Sequence, residues 1–277
     1  MNKERIESGQ TDRQTDRIPR VIHYCWFGKN EKPKLFYRCL ESWKRYCPDY
    51  EIIEWNEENF DVGIIPYVKE AYEAKKWAFV TDYARLWIIY HYGGIYLDTD
   101  VEIIKPLDCL LKNEAYFGLE DNNFINTGVG FGAKKGNDVV FRMMSDYSNE
   151  HFLNSDGTFN KTTCPVRNTR VISKLFPIQF DGAILQVENA TFYPPEYFCP
   201  LSPDGKQMIR TDNTFSIHWF SASWLDSEEA IIHEWRVFKG KCENRFGRKL
   251  GSITARFAYL FVPRKRKILK KYSKQDQ

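Results

Sequence analysis

The spacing of apolar positions switches between strand and helix periods along the first part of the chain. The run IPRVIHYCWFG at 18–28 is rich in β-branched and aromatic residues, which predicts a buried strand followed by a loop at Gly28. The same criteria predict a helix over 35–46, a strand over 50–56, and helices over 66–76 and 78–92. Strands and helices in this order are typical of an α/β sheet with parallel strands.

The second half of the chain has weaker patterns. A helix is predicted over 138–147, and a late strand over the sequence TFSIHWF at 214–220. Asp226 with Glu229 forms a capping box, which predicts a helix that runs to about 247. These elements extend the α/β pattern without repeating any segment of the first half.

The clearest candidate chemistry lies in the segment IYLDTDVEI at 95–103, which alternates as one extended strand would. Its apolar residues would point to one side, and Asp98, Asp100 and Glu102 to the other. Two neighbouring carboxylates on one face repel each other unless a cation or protonation compensates. Mn²⁺ or Mg²⁺ is the simplest compensation, because both ions prefer oxygen ligands. An Asp-x-Asp pair alone is weak evidence, since acid pairs are frequent on solvated strand ends.

Composition places the chain among globular proteins. Of its 277 residues, 43% are hydrophobic and 16% aromatic, which is more than disordered chains carry. No window approaches a transmembrane helix, and the N-terminal segment lacks the apolar core of a secretory signal. The seven cysteines are scattered and form no C-x-x-C pair, which predicts reduced structural thiols. We therefore expect a cytoplasmic protein.

Charge divides the chain into an acidic body and a basic end. The formal net charge is +3, but residues 236–277 carry 14 lysines and arginines against two acids. We predict a disordered lead-in at 1–17, one α/β domain at 18–235 and a basic amphipathic helical tail at 236–277. The tail is open to three interpretations: a solvated helix face, a nucleic-acid contact, or an anionic membrane surface. Apolar residues beside the basic run favour the membrane, so we expect peripheral binding to its inner face and no nucleic-acid partner.

A specific signature surrounds the acidic pair. A helix carrying Asp82 and Arg85 in the order D-Y-A-R leads directly into GGIYLDTD at 93–100. With this signature the sequence resembles glycosyltransferase family 32, whose members carry a DXD-type sugar-binding region. It is also similar to the catalytic domains of clostridial glucosylating toxins. The resemblance extends over about 18–225, and its further matches are I-P-R-V-I-H at 18–23, Trp26, Gly28, H-W at 218–219 and S-W at 223–224.

The resemblance implies a GT-A fold, a Rossmann-like mixed α/β sheet flanked by helices, which binds a nucleotide sugar and a divalent Mn²⁺ or Mg²⁺ ion. It assigns Asp98 and Asp100 to the ion that bridges the diphosphate, with His218 as a third ligand. Asp82 and Arg85 would hold the donor sugar, and together with Asp100 they are the expected catalytic residues.

The remainder of the expected donor site follows from the same resemblance. Trp26 would stack on the nucleobase, an interaction worth about 1–3 kcal/mol. Further contacts are expected from Ile22, His23 and Tyr24 near the base, Thr99 between the aspartates, Asn126 on a strand at 126–132 beneath the sugar, and Ser223 and Trp224 on a loop that closes over the diphosphate. Structural alternatives stay open. Trp26, His23 and His218 would then be core residues, and Asp82 with Arg85 a surface ion pair.

The implied function is retaining transfer of a hexose or N-acetylhexosamine from a nucleotide sugar, with UDP as the expected nucleotide, to a saccharide acceptor. The expected acceptor is a lipid-linked intermediate of surface polysaccharide synthesis, such as capsule or O-antigen, with Glu120 or Asp121 near it. Because no nucleophilic carboxylate is identifiable, the acceptor hydroxyl is expected to attack from the side of the leaving diphosphate. The alternatives are a haloacid dehalogenase-type phosphatase with Asp98 as nucleophile, and a domain that binds carbohydrate without catalysis.

Overall fold

The main sheet is mixed and has seven strands among the residues that the structure describes. The computed structural model describes residues 17–121, 123–202, 207–221 and 227–246. The strands within these ranges are β1 Val21–Cys25, β2 Glu51–Trp55, β3 Gly94–Tyr96, β4 Val101–Ile103, β5 Ala115–Gly118, β6 Phe131–Ala133, β7 Leu185–Val187, β8 Ala190–Tyr193 and β9 Ser216–His218. The order in the main sheet is β2-β1-β3-β6-β5-β8-β7. β1 is parallel to β2 and β3, as predicted, whereas β6 is antiparallel to both of its neighbours.

Helices cover both faces of this sheet. They are α1 Lys34–Tyr46, α2 Pro66–Glu73, α3 Trp77–Tyr92, α4 Asp138–Ser145, α5 Cys164–Leu175, α6 Pro195–Phe198 and α7 Ser227–Phe246. Successive strand side chains point to opposite faces. In β5, for example, Phe117 packs in the group of buried residues that includes α2 to α5, and Tyr116 packs in the group that includes α1. The predicted α/β class, with a mixed sheet flanked by helices, is therefore confirmed.

The segment at 95–103 is not the single strand predicted from its alternation. It forms β3, a turn over 97–100, and β4, which leaves the main sheet and pairs with β9. The turn is closed by the Val101 N–H, which donates to the Asp98 carbonyl oxygen at 3.0 Å. On its other side β4 rests on α1, where the Trp43 indole donates to the Val101 carbonyl oxygen at 2.7 Å. Only β4 has one buried face, formed by Val101 and Ile103, whereas β3 is buried on both faces; the alternation therefore runs across two strands of different sheets.

The predicted helices and strands of the first hundred residues are otherwise present, with ends that differ by a few positions. The predicted late helix corresponds to α7, but its cap Asp226 lies outside the described residues, as do 1–16 and 247–277. The division into domains therefore stays a prediction, and α7 runs through its boundary at position 236. Among the described residues, no helix is both long and apolar enough to cross a bilayer. All seven cysteines are free thiols, as predicted.

Candidate active site

Two strand pairings bring the acidic residues and His218 together. β1 and β3 are parallel neighbours, so the loop that carries Trp26 and the turn that carries Asp98 leave the sheet at the same edge. After that turn, β4 pairs with β9 with Val101 opposite His218. The Trp219 N–H consequently donates to the Asp100 carbonyl oxygen at 3.0 Å. Residues far apart in sequence thus meet at one point through backbone pairing.

Asp98, Asp100 and His218 form a compact ligand set. Each offers one ligand atom, and these atoms all lie within 4.8 Å of one another. Two carboxylates and an imidazole suit Mn²⁺ or Mg²⁺, with the imidazole more favourable to manganese. The His218 Nδ1 is buried and makes no hydrogen bond to any residue that the structure describes. The donor set therefore fits the divalent ion expected from the sequence.

His218 and Asp100 stabilise each other's charged forms. The His218 Nε2 lies 3.3 Å from the Asp100 Oδ1. Burial opposes ionisation of both groups, but this ion pair raises the pKa of His218 well above its usual value. The His218 charge and the Ser221 N–H, which donates to the Asp100 Oδ2 at 2.7 Å, hold the pKa of Asp100 below its usual value. The two carboxylates of the acidic turn thus have separate cationic neighbours, His218 for Asp100 and Arg85 for Asp98.

Arg85 links the D-x-x-R pair of α3 to the acidic turn. Its Nη2 lies 3.1 Å from the Asp82 Oδ1 and 3.3 Å from the Asp98 Oδ1. Burial raises the pKa of Asp82 to about 6, although Arg85 favours the charged carboxylate. The Tyr96 hydroxyl adds a hydrogen bond to the Asp98 Oδ1 at 3.1 Å. Asp82 and Arg85 are both buried, which is unlike the surface ion pair considered as an alternative.

The segment around Asn126 supports this cluster as a loop and not as the predicted strand, because β6 begins only at Phe131. The Asn126 Oδ1 accepts a hydrogen bond from the Gly128 N–H at 2.6 Å, and its Nδ2 donates to the Glu120 Oε2 at 2.7 Å. The Gly128 carbonyl oxygen accepts from the Asp98 N–H at 3.2 Å. Asn126 and Glu120 are thus connected to the acidic turn by hydrogen bonds.

Cys164 is a neighbour of the site that the sequence analysis missed. Its Sγ lies 3.8 Å from the Asn126 Oδ1, 3.8 Å from the Arg85 Nη1 and 3.9 Å from the Thr127 Oγ1. It begins α5, a helix that was not predicted either. Pro165 at the first turn of this segment is a typical start signal that would have indicated the helix.

The expected nucleotide contacts on β1 divide into buried and accessible side chains. His23 is buried, and its ring nitrogens contact the Gly93 carbonyl oxygen at 2.9 Å and the Trp55 indole N–H at 3.0 Å. Ile22 and Tyr24 are also buried. Any nucleotide contact of these three residues would therefore use the backbone.

Trp26 is only partly buried at the end of β1. Its indole N–H donates to the Asn30 carbonyl oxygen at 2.8 Å, and its ring lies 6.3 Å from the ring of Phe36. These contacts fix the ring orientation without enclosing the whole side chain. A ring held in this way is suited to stacking on a planar ligand.

The remaining predicted contacts differ in what the structure shows of them. Ser223 and Trp224 lie outside the described residues. Thr99 is described, and it is a half-buried residue of the acidic turn. Asp121 accepts hydrogen bonds from the N–H groups of Asn123 and Phe124 and thereby shapes its own loop. The structure adds Ser221 to the site, a residue that the sequence analysis did not identify.

A family model matches the segment that carries the acidic pair and the D-x-x-R pair. Residues 33–117 match the family model described as glycosyltransferase sugar-binding region containing DXD motif. The matched segment includes Asp82, Arg85, Asp98 and Asp100, and it confirms the resemblance noted in the sequence.

Two curated relatives show the extent of this similarity. The chain is 32% identical over 114 residues to inositol phosphoceramide mannosyltransferase 1 of Schizosaccharomyces pombe, covering 37% of this chain and 34% of the relative. It is 29% identical over 129 residues to alpha-1,4-N-acetylglucosaminyltransferase of Homo sapiens, covering 46% and 36%. The chain thus spans about a third of the length of these relatives.

Two solved structures are also similar. The PaToxG glycosyltransferase is 16% identical with a TM-score of 0.44, covering 58% of this chain and 70% of that chain. A glycosyltransferase involved in the glycosylation of the major capsid of PBCV-1 is 14% identical with a TM-score of 0.44, covering 77% and 98%.

Proposed function

We propose that this protein transfers a glycosyl group from a nucleotide sugar to a saccharide acceptor, with a divalent cation held by Asp98, Asp100 and His218. The observation that carries the proposal is the junction of this ligand set with the buried Arg85–Asp82 pair. A site of this kind combines a place for a cation with a place for a polar sugar. The match of the surrounding segment to a DXD sugar-binding region supports the same assignment.

Different residues of the site bind the nucleotide sugar and assist departure of its diphosphate. Asp98, Asp100 and His218 would hold a divalent cation, which would supply Lewis-acid stabilisation to the charge on the leaving diphosphate. Arg85, fixed between Asp82 and Asp98, presents its guanidinium at a constant position and binds hydroxyls of the donor sugar together with Asp82. Trp26 stacks on the nucleobase at the same edge of the sheet. Asn126 holds the loop beneath the donor through Gly128 and Glu120.

The donor and acceptor classes are proposed from the relatives. We propose a hexose or N-acetylhexosamine as the transferred group, because the relatives are named as a mannosyltransferase and an N-acetylglucosaminyltransferase. The Schizosaccharomyces pombe relative is named as an inositol phosphoceramide mannosyltransferase, and this name supports a lipid-linked acceptor. A UDP-linked donor, retention of anomeric configuration and peripheral binding to the inner face of a membrane remain parts of the proposal that rest on the sequence.

A phosphatase that uses Asp98 as nucleophile is less compatible with the contacts of this carboxylate. Its Oδ1 is engaged by the Arg85 guanidinium and by the Tyr96 hydroxyl. These contacts withdraw electron density from that oxygen and lower the nucleophilicity of the carboxylate. The D-x-x-R pair would also have no task in that reaction.

Hydrolysis of nucleotide sugars in the absence of an acceptor tests the proposal. We would assay UDP- and GDP-linked hexoses and N-acetylhexosamines with Mn²⁺, with Mg²⁺ and with a chelator. Release of nucleoside diphosphate from one donor, dependent on metal and lost in Asp100→Ala, is the expected result. Hydrolysis of a phosphomonoester with no release from any nucleotide sugar would support the phosphatase, and binding of sugars without any turnover would support the non-catalytic alternative.

A further inference from the structure

Glu102 is the third acid of the run D-T-D-V-E, yet it lies outside the ligand set. Its neighbours Val101 and Ile103 are buried in the core, so Glu102 points away from the core on β4. Its Oε2 accepts a hydrogen bond from the Trp219 indole N–H at 2.9 Å. The same oxygen forms an ion pair with Arg38. Glu102 therefore fixes a residue that directly follows His218.

Arg38 completes the contacts around Trp219. Its guanidinium lies 4.5 Å from the centre of the Trp219 ring, which is a cation–π distance. Trp219 is thus bound at its edge by a carboxylate and over its face by a cation. Arg38 belongs to α1, which is itself joined to β4 through Trp43. We call Glu102, Arg38 and Trp219 the Glu102 clamp.

The backbone that follows the clamp contacts Asp100 twice. The Trp219 N–H donates to the Asp100 carbonyl oxygen at 3.0 Å, and the Ser221 N–H donates to the Asp100 Oδ2 at 2.7 Å. The first bond holds the main chain of Asp100, and the second orients its carboxylate. A displacement of Trp219 would change both bonds together.

The backbone at Phe220 needs such an anchor. Its φ is +49°, in the left-handed region that residues other than glycine seldom adopt. A residue keeps this conformation only where the surrounding contacts impose it. One contact is the ring of His218, whose centre lies 4.3 Å from that of Phe220. Without a fixed Trp219, the chain would relax and withdraw the Ser221 N–H from Asp100.

We propose that Glu102 is a positioning residue of the metal site, which acts through Arg38 and Trp219. The Glu102 clamp holds the Trp219–Ser221 segment so that His218 and the Asp100 carboxylate keep the arrangement that binds a cation. Glu102 itself contacts neither the cation nor the donor. This inference rests on the proposed function, because it assumes that the ligand set holds a metal ion.

Calorimetric titration of the full chain with Mn²⁺, without nucleotide sugar, tests the inference. The variants are Glu102→Gln, whose amide loses the ion pair with Arg38, and Trp219→Phe, which keeps an aromatic ring at this position but loses the indole N–H donor. We expect each to weaken Mn²⁺ binding about tenfold, the size of a lost hydrogen bond to a charged group. The double variant should be no weaker than the weaker single variant, because both substitutions disrupt one connected set of contacts, the Glu102 clamp, and coupled residues do not act additively.

Glu114→Gln is a matched control. The Glu114 side chain is 21% exposed against 20% for Glu102, and it also pairs with two cations, Arg17 and Lys134. It lies just before β5, and neither of its two ion pairs involves Asp98, Asp100 or His218. We expect wild-type Mn²⁺ affinity in this variant.

The outcomes distinguish this inference from the proposed function. Absence of Mn²⁺ binding by the wild-type chain would overturn both. Normal Mn²⁺ binding by the wild type and equally by Trp219→Phe, with a folded circular dichroism spectrum, would overturn the inference alone. Additive losses in the double variant, or an equal loss in Glu114→Gln, would also overturn it.

Discussion

An ion pair of 3.3 Å between the Arg85 Nη2 and the Asp98 Oδ1 joins helix α3 to the acidic turn after β3. The same nitrogen lies 3.1 Å from the Asp82 Oδ1, so one guanidinium serves both halves of the signature. A buried charge requires such compensation, and removal of one partner leaves the others exposed to a large desolvation cost. The D-x-x-R pair and the DXD pair therefore act as one unit.

Arg85→Lys tests this unit while keeping the charge. A lysine ammonium is a point charge and cannot reproduce the planar guanidinium, whose Nη2 contacts two carboxylates while its Nε donates to the Thr81 carbonyl oxygen. We expect kcat/KM for donor hydrolysis to fall about 100-fold, because the donor sugar would no longer be held in place. Steady-state kinetics measure the effect, and a thermal unfolding curve close to that of the wild type shows that the fold is kept. Unchanged kinetics would contradict a role of Arg85 at the donor.

The backbone at Gly128 lies so close to the acidic turn that a side chain at this position would collide with it. A Cβ at this position would lie 2.2 Å from the Asp98 Oδ2 and 2.9 Å from the Arg85 Nη1. Gly128→Ala is therefore expected to displace the Asp98 carboxylate and to abolish Mn²⁺-dependent hydrolysis. The rate of nucleotide release at saturating Mn²⁺ measures this loss.

Gly63→Ala provides the control for that substitution. Its Cβ would meet only the Asp61 Oδ1, at 3.2 Å, in the loop between β2 and α2. This contact is tight but involves a side chain that can move. We expect near-normal hydrolysis, and an equal loss in the two variants would show that the effect of Gly128→Ala is not specific to the site.

His23 predicts how stability depends on pH. Burial lowers the pKa of His23 from 6.5 to about 4, although its contact with the Gly93 carbonyl oxygen opposes the shift. Between these values the unfolded chain takes up a proton that the folded protein does not. The free energy of unfolding therefore falls as the pH falls through this window.

We expect His23 to account for a loss of about 2 kcal/mol between pH 7 and pH 5. His23→Gln removes the titrating group, so its loss over the same interval should be smaller than that of the wild type. Urea unfolding followed by circular dichroism at both pH values measures the difference. Equal losses in the two proteins would show that His23 titrates normally in the folded state.

The basic end of the chain predicts binding to anionic membranes. Each lysine or arginine near such a surface contributes about 1 kcal/mol. Truncation after Gly247 should leave donor hydrolysis intact and weaken sedimentation with anionic liposomes. Replacement of 264–267 (RKRK) by glutamines in the full chain isolates the contribution of charge. Equal sedimentation of all three proteins would contradict membrane binding through this segment.

Much of the fold near the site follows from local sequence signals. The β-branched run of β1 and the apolar periodicity of α3 predicted these elements because neighbouring residues determine them. The acidic pair was correctly associated with Arg85, but through a family signature. Two strand predictions were wrong: the segment at 126–132 is a loop up to β6, and 95–103 is divided between two sheets, which alternation alone does not indicate.

Local sequence patterns could not predict the contacts between residues that are distant in sequence. The position of His218 beside Asp100 depends on the pairing of β4 with β9, which joins distant segments. The contacts of Glu102 with Arg38 and Trp219 likewise require the tertiary structure. Glu102 was visible in the sequence as a third acid, but its periodicity placed it beside the aspartates and gave no indication of a different partner.

The most direct test of the metal-assisted donor site is the location of manganese in crystals. Crystals grown with Mn²⁺ and a nucleotide sugar would be measured at a wavelength where manganese scatters anomalously. We predict an anomalous peak in contact with Asp98, Asp100 and His218, bridged to the diphosphate of the donor. A bound donor with no anomalous peak at these three residues, or with manganese bound elsewhere, would contradict the account.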